Sequence, residues 1–225
     1  MTQLELHGDL SYCNIDGHLI FLDVQNDRYF RLTERLESAL IAYLDRVDSR
    51  DSDVRTLIER KILVDGSNDF GHIPTAFKNV PKRSAMEEAA RARRASVGEV
   101  LDTAAIVCST QRQLKSCRLK KILDGLASRR AKLTPGLPTS SDSESRAMDT
   151  AAAFRSARPY VPIDTCCLLD SIAMITFLAK RQLHADLVFG VTADPFSAHC
   201  WAQYGTTVLN DALGHALTYT PIRVI

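Results

Sequence analysis

The chain has 225 residues, of which 45% are apolar and 24% are charged, so it can fold around a sizeable core and is not a disordered polypeptide. Its 28 basic and 27 acidic side chains give a formal net charge of +1, which provides no general attraction to nucleic acid or to an anionic membrane. There are 8 basic and 14 acidic side chains in residues 1–77, 14 and 5 in residues 78–132, and 6 and 8 in residues 133–225. Three zones of different charge predict a modular chain.

Neither a targeting segment nor a membrane-spanning segment is predicted. Residues 1–10 have no cationic start and no long apolar core, and no apolar run approaches the roughly 20 residues that a spanning helix needs. We therefore expect a soluble, cytoplasmic protein without a membrane partner. The six cysteines contain no C-x-x-C motif, so we expect reduced thiols rather than a disulfide framework or a zinc finger. They are Cys13, Cys108, Cys117, Cys166, Cys167 and Cys200.

The first elements along the chain are predicted to be strands joined by tight turns. The strands run from Leu10 to Ile15, from His18 to Val24 and from Arg28 to Leu32. Asp16-Gly17 and Asn26-Asp27 separate them, and these residue types tolerate the positive φ that tight hairpins require. A three-stranded meander is expected.

Two helices are predicted after the meander. Thr33 caps the first, whose apolar stripe ends near Val47. The second starts at Asp51 or Ser52 and ends in the apolar run of residues 62–64. Together these elements predict a small winged-helix-like domain, a β-meander followed by helices, in residues 1–80.

Residues 81–146 are predicted to form a helical middle zone and linker. The segment is basic, and an amphipathic run in it is predicted to bury one apolar stripe. The stripe consists of Val97, Val100, Leu101, Ala104 and Ala105. A loop rich in Pro, Gly and Ser follows at Leu133 to Ser145.

Residues 147–225 carry the side chains with the clearest chemistry. A helix is predicted from Cys166 to Arg181, and a cysteine in the first turn of a helix faces unpaired N–H groups that favour the thiolate. A hairpin is predicted to begin at His199. If Gly205-Thr206 is its two-residue turn, the Asp211 carboxylate comes to lie beside the His199 ring.

The nucleophile, base and orienting acid predicted from this pattern are Cys167, His199 and Asp211. They follow one another with separations of 32 and 12 residues, an order that suits a papain- or transglutaminase-like triad. Cys166 directly precedes the predicted nucleophile, so the assignment of Cys167 rests on Leu168 and Ser171 as anchors. The overall expectation is an α+β chain in which a papain/transglutaminase-like cysteine peptidase domain, residues 147–225, follows the first domain.

Several short motifs of this domain resemble the leader peptidases of lasso-peptide biosynthesis, the B proteins. In chain order they are Cys167-Leu-Leu-Asp-Ser171, Leu187-Val-Phe-Gly-Val191, Asp194-Pro-Phe-Ser-Ala-His199, Trp201 and Leu209-Asn-Asp211. The resemblance implies a transglutaminase-like fold, the same three catalytic residues, and a partner cyclase similar to asparagine synthetase. It implies cleavage of leader from core in a precursor peptide. The family usually has alanine after the histidine, where this chain has Cys200; we expect a small buried thiol there.

The first domain resembles, more weakly, the leader-recognition domain of ribosomal-peptide modification enzymes, related to the pyrroloquinoline-quinone chaperone fold. The similar segments are Gly17-His-Leu-Ile-Phe-Leu-Asp23 and Arg28-Tyr-Phe-Arg-Leu-Thr33. The resemblance implies that a leader peptide adds as a strand beside the third strand, next to the last helix. The residues implied in binding are Arg28, Tyr29, Phe30, Arg31, Leu32, Val54, Leu57, Ile58 and Lys61.

Other functions stay open at this point. The same triad would serve a transglutaminase-type acyl transferase, in which an amine replaces water. A non-catalytic leader-binding scaffold would use the first domain alone. A winged-helix DNA-binding regulator is disfavoured by the net charge of −6 in residues 1–77, and nucleic acid is not an expected partner.

No cofactor and no metal are expected. The chain has no phosphate-cradling glycine motif. Five histidines lack partners at metal-ligand spacing and are expected at surface or turn positions. They are His7, His18, His72, His184 and His215.

Overall fold

The computed structural model describes residues 4–46, 51–66, 79–88, 94–133 and 141–225. The chain divides into two compact units, Met1–Ala76 and Phe77–Ile225. Both units contain helices and strands, which confirms the expected α+β class. Among the described helices, none is long and apolar enough to cross a membrane.

The first unit contains two small antiparallel sheets and two helices. Its elements are β1 (Leu4–Leu6), β2 (Leu10–Ile15), β3 (His18–Asp23), β4 (Arg28–Arg31), α1 (Glu34–Leu44), α2 (Asp51–Glu59) and β5 (Leu63–Asp65). The predicted meander is present, with strand order β2-β3-β4. Positive φ angles of 52° at Asp16, 85° at Gly17 and 50° at Asp27 close its two turns, as the residue types predict.

The segment after α2 differs from the prediction. Residues 62–64 are predicted to end the second helix, but residues 63–65 form β5 and pair with β1. The helix ends at Glu59, and Lys61 reverses the chain with a φ of 55°. A short apolar run has no period by which to separate a strand from a helix end, and its partner strand lies far away in sequence.

The core of the first unit fixes which face of β4 points inward. Phe21 is fully buried, and its ring stacks on Phe30 of β4 at 5.1 Å. Leu40 and Leu57 complete the buried centre from α1 and α2. Since neighbouring strand residues face opposite ways, Tyr29 projects from the other face of β4.

The second unit contains one five-stranded sheet and five helices within the described residues. Its elements are β6 (Arg83–Ser84), α3 (Val97–Ser116), α4 (Leu119–Leu133), α5 (Ser141–Ala157), α6 (Cys167–Ala179), β7 (Asp186–Ala193), β8 (Phe196–Tyr204), β9 (Thr207–Val208), α7 (Leu213–Leu217) and β10 (Thr220–Val224). The strand order is β10-β7-β8-β9-β6. Only the pairing of β6 with β9 is parallel among these strands.

The helix α6 lies at the centre of the second unit. It contacts α3 and α5 as well as strands β7 and β8. Eight of its thirteen residues are buried, and Phe177 meets Phe154 of α5 edge to face at 5.5 Å. A helix that is apolar on nearly all sides is stable only when surrounded in this way. Its position is therefore fixed by packing from both the sheet and the helices.

The buried face of α3 differs from the predicted stripe. Val97 and Leu101 are exposed, whereas Thr103, Ile106 and Val107 are buried. Because α3 packs against α6, its buried face is set by that contact rather than by the largest apolar residues near its start. Its N-terminus is stabilised by a capping box between Ser96 and Glu99.

Gly190 lies at a point where two parts of the chain approach each other closely, and it is the cross-strand partner of His199. A Cβ on Gly190 would lie 2.8 Å from the Tyr219 Cβ and 2.9 Å from the Trp201 ring. We expect Gly190→Ala to lower the free energy of unfolding by about 1–3 kcal/mol, because overpacking forces neighbouring groups to move. Chemical denaturation measures this change.

Gly125→Ala is the matched control for this substitution. Gly125 lies inside α4, and an added Cβ there meets no atom within 4 Å. Alanine is the better helix former, so this variant should be neutral or more stable by up to about 1 kcal/mol. Equal losses of stability in both variants would contradict the close-packing argument.

Candidate active site

The candidate nucleophile begins the central helix. Cys166 is the N-cap residue with extended backbone, and Cys167 is the first residue of α6. Cys167 is exposed even though most of the helix is buried. At this position the first-turn N–H groups and the helix dipole favour a negative charge. The structure thus presents the Cys167 thiol at an accessible and electrostatically favourable point.

A buried arginine holds the loop that leads into α6. Arg158 donates from Nε to Asp170 Oδ1 at 2.6 Å, which ties the loop to the first turn of the helix. Its guanidinium also donates to the carbonyl oxygens of Val161, Ile163 and Asp164. Charge-assisted hydrogen bonds of this kind restrict the loop strongly. The backbone entering Cys167 is therefore fixed on two sides.

The β8-β9 hairpin has the register that the sequence predicts. Gln203 pairs with Val208 and Tyr204 pairs with Thr207, so Gly205-Thr206 is the two-residue turn. Gly205 adopts a φ of 58°. Continuing this register places Asp211 opposite Cys200, next to His199. The strand begins at Phe196 rather than at His199 as predicted, because its first residues pair with β7.

His199 and Asp211 are in direct contact. The His199 Nε2–H donates to Asp211 Oδ2 at 2.6 Å. The Ala212 N–H donates to Asp211 Oδ1 at 2.8 Å, and Ser84 Oγ donates to the Asp211 carbonyl at 2.5 Å. The carboxylate is thereby oriented toward the imidazole, as expected for the acid of a triad.

Hydrogen bonds also pair Cys167 with His199 and set their charges. Hydrogen bonds with Cys200 and His199 lower the pKa of Cys167 to about 4, against the effect of burial. Burial of the His199 ring disfavours its charged form, but hydrogen bonds to Asp211 and Cys167 raise its pKa to about 9. Burial likewise opposes ionisation of Asp211, yet its hydrogen bonds lower its pKa. Between about pH 4 and pH 9 the pair is a thiolate and an imidazolium.

Cys200 is a member of this group that sequence reasoning placed only in the core. It is buried, as expected, but its thiol also hydrogen-bonds Cys167, and its backbone N–H does the same. That contact and its own burial raise the pKa of Cys200, so it remains a neutral donor. The substitution of cysteine for the usual alanine is the one sequence signal that could have identified it.

A buried hydrogen-bond network, here called the clamp, joins the three elements that carry the triad. Asn210 donates from Nδ2 to Ser171 Oγ at 2.9 Å, and Ser171 Oγ donates to the Cys200 carbonyl at 3.2 Å. The Ala202 N–H donates to Asn210 Oδ1 at 2.7 Å. Ser171 lies one turn after Cys167, and the other partners lie beside His199 and Asp211. The clamp therefore controls the separation of the triad residues.

His215, expected at a surface or turn position, contacts the site directly. Its Nδ1 lies 2.8 and 3.0 Å from the two carboxylate oxygens of Asp211. His199, Asp211 and His215 place one potential ligand atom each within 4.8 Å of one another, so this group could hold a metal ion. Ligand-spacing rules do not group these residues, because they come from a strand, a loop and a short helix.

The residues implied in leader binding lie in the first unit. Arg28, Tyr29, Phe30 and Arg31 form β4, and Leu32 follows it. In the part of the chain that the structure describes, β4 pairs with β3 and is the last strand of the order β2-β3-β4. Within and just after α2, the four predicted residues differ in exposure. Leu57 is fully buried, Val54 is partly buried, and Ile58 and Lys61 are exposed.

Comparison with protein families gives a class for the second unit. Residues 114–224, just under half of the chain, match the sequence profile of the transglutaminase-like superfamily. The matched segment includes α6, β8 and the loop that carries Asp211. The chain thus contains a transglutaminase-like domain, and the domain contains all three candidate catalytic residues.

Comparison with individual proteins gives a shorter match. A segment of 46 residues is 44% identical to the microcin J25-processing protein McjB of Escherichia coli. The segment covers 20% of this chain and 22% of that protein, so the chain spans about a fifth of the length of the relative it matches. No solved structure matches the chain.

The state of the candidate pair can be tested by alkylation without a substrate. At pH about 6 we expect iodoacetamide to modify Cys167 at least tenfold faster than the exposed Cys108 and Cys166, because the pKa of Cys167 lies far below this pH. His199→Ala should remove this advantage. Mass spectrometry of the modified peptides gives the rate for each cysteine, and fastest reaction at Cys166 would shift the assignment by one residue.

A second substitution tests the donor role of Cys200. In Cys200→Ala the thiolate loses a hydrogen bond, so the pKa of Cys167 should rise. The acid limit of its alkylation, the pH below which the rate at Cys167 falls, should rise by about one pH unit. Cys200→Ser keeps an O–H donor and should restore part of the shift. An unchanged acid limit in the alanine variant would show that the Cys200 thiol does not stabilise the thiolate.

Proposed function

We propose that this protein is a leader peptidase, a cysteine peptidase that binds the leader of a ribosomally made lasso precursor peptide and cleaves leader from core. The observation that carries the proposal is the arrangement of Cys167, His199 and Asp211, with a thiolate and an imidazolium paired over the neutral pH range. The transglutaminase-like domain and the similarity to a microcin-processing protein support it.

The proposed reaction starts from the charged pair. The Cys167 thiolate attacks the scissile carbonyl carbon, and the carbonyl oxygen becomes an oxyanion for which the Cys167 N–H is a donor. The His199 imidazolium then gives its proton to the leaving amine of the core, and the C–N bond breaks to leave a thioester on Cys167. Asp211 holds the ring and stabilises its positive charge throughout.

Hydrolysis of the thioester completes the cycle. Neutral His199 takes a proton from water as the water oxygen attacks the thioester carbonyl. The C–S bond breaks, the leader leaves with a free carboxylate, and Cys167 returns as the thiolate beside the protonated ring. If an amine attacks in place of water, the same intermediate yields an amide, which is the acyl-transfer alternative.

Leader binding is proposed for the first unit. A peptide can add as a further strand beside the last strand of a sheet. Among the described residues β4 is the last strand of the order β2-β3-β4, and Tyr29 projects from the face opposite the core. The exposed Ile58 and Lys61 on and after α2 are proposed as additional contacts, with Val54 and the buried Leu57 shaping the surface beneath them.

A partner enzyme is part of the proposal. Cleavage frees the amine of the first core residue, and an amine is the nucleophile that a macrolactam-forming reaction consumes. By family resemblance, we propose that an asparagine-synthetase-like cyclase joins this amine to an Asp or Glu side chain of the core.

A cleavage assay tests the proposed function. With a leader-bearing lasso precursor peptide and the cyclase present, we expect Cys167→Ala to abolish release of the leader and Cys166→Ala to retain it. Tyr29→Ala should raise KM about tenfold with little change in kcat, since it removes binding rather than chemistry. Mass spectrometry distinguishes a leader with a free carboxylate from an amide product.

The outcomes separate the alternatives. A leader amide would indicate acyl transfer, and cleavage by Cys167→Ala equal to that of the unmodified protein would indicate a scaffold whose thiol has no catalytic role. Equal kinetics on the intact precursor and on a precursor without its leader would contradict leader recognition.

A further inference from the structure

His215 shares the carboxylate of Asp211 with His199. The His199 Nε2 lies 2.6 Å from Asp211 Oδ2, and the His215 Nδ1 lies 2.8 Å from the same oxygen and 3.0 Å from Oδ1. Two imidazoles therefore donate to one carboxylate, and both use Oδ2. A triad needs only one such donor, so the second requires an explanation of its own.

The position of His215 is fixed by two ring contacts and by the attachment of its helix. Its ring meets the His199 ring at 4.8 Å and the Tyr219 ring at 5.3 Å, both edge to face. The start of α7 is held by the Leu213 N–H, which donates to Glu87 Oε1 at 3.1 Å. Ala216 next to it is buried. His215 is thus held in place by the fold, although half of its side chain is exposed.

Few titratable groups face this ring among the described residues. Asp211 comes from the loop before α7, His199 from β8 and Tyr219 from the turn before β10. Glu87 comes from the segment after β6 and contacts the first residue of α7. Cys167 contacts the far side of His199. Asp211 is the group of opposite charge that His215 hydrogen-bonds. Any effect of His215 on the thiolate and imidazolium pair must therefore pass mainly through Asp211.

Sharing a carboxylate reduces the negative charge available to each donor. A hydrogen bond from His215 to Oδ2 withdraws charge from the oxygen that accepts the His199 Nε2–H, and this lowers the proton affinity of the ring at its other nitrogen, Nδ1. In the proposed reaction His199 must release the Nδ1 proton, on the side of Cys167, to the leaving amine. A proton donor works best when its proton affinity matches the operating pH, and one that holds the proton too tightly is slow.

We propose that His215 is a positioning residue, whose Nδ1–H orients Asp211 and limits how strongly that carboxylate stabilises the His199 imidazolium. This role rests on the proposed function, since it sets how readily His199 gives up the Nδ1 proton that thioester formation consumes. Within the described residues, His199 and the Ala212 N–H are the other two donors that reach the Asp211 carboxylate, and without His215 they alone would orient it.

The test uses Cys167 of the whole protein as its own reporter. Iodoacetate is an anion and is attracted by the His199 imidazolium, so its rate with Cys167 should fall when that ring loses its proton near pH 9. Iodoacetamide is neutral and serves as the control reagent. Rates at Cys167 are measured by mass spectrometry between pH 6 and pH 11.

Two substitutions at one position distinguish the donor from the ring. In His215→Ala the whole carboxylate charge acts on His199. The pH at which the iodoacetate rate at Cys167 falls should therefore rise by about half a pH unit. In His215→Asn the side-chain amide N–H can take the place of the Nδ1–H. The pH at which the iodoacetate rate falls should therefore return toward its value in the unmodified protein. Thermal unfolding confirms that both variants fold.

The outcomes keep this inference apart from the proposed function. If the pH at which the rate falls is unchanged or lower in His215→Ala, or if His215→Asn does not restore it, the inference about His215 is wrong while the proposed triad is unaffected. If Cys167 of the unmodified protein shows no dependence on His199 at all, the proposed function fails first. An upward shift that asparagine reverses supports the inference.

Discussion

The site depends on the clamp, the hydrogen bonds by which Ser171 and Asn210 join α6 to β8 and to the loop after β9. Each partner in the clamp lies close in sequence to one triad residue. The clamp therefore joins the same three segments, α6, β8 and the loop after β9, that carry the triad residues. Ser171 is fully buried, and a buried hydroxyl that donates and accepts good hydrogen bonds is costly to displace. A small shift of any one element would leave polar groups unpaired, which is why the triad geometry can persist without substrate.

The central helix has to satisfy two opposing requirements. Its middle is stabilised by burial against the sheet and against α3 and α5, whereas under the proposed function its first residue must remain open to a peptide. The loop that Arg158 secures resolves this conflict. The guanidinium is itself buried, and it satisfies the Asp170 carboxylate and three backbone carbonyls at once. The loop therefore turns sharply into α6 while leaving Cys167 exposed.

Charge is controlled by short contacts rather than by the net charge of the chain. Cys200 and His199 donate hydrogen bonds that favour the Cys167 thiolate, and Asp211 accepts one that favours the His199 imidazolium. The arrangement is coupled, because a change at Asp211 alters His199 and through it Cys167. Proposed binding and proposed chemistry lie in separate units of the chain. Affinity for a leader and the rate of bond cleavage can then be altered independently.

The amino-acid sequence by itself determined the meander, the start of α6 and the register of the β8-β9 hairpin. Turn residues such as Gly17 and Gly205 and the spacing of apolar residues act locally, so these elements could be predicted without a fold. The pairing of β5 with β1, the buried face of α3 and the contacts of Cys200 and His215 could not. Each depends on partners distant in sequence, and only packing in three dimensions decides which of several compatible partners a residue meets.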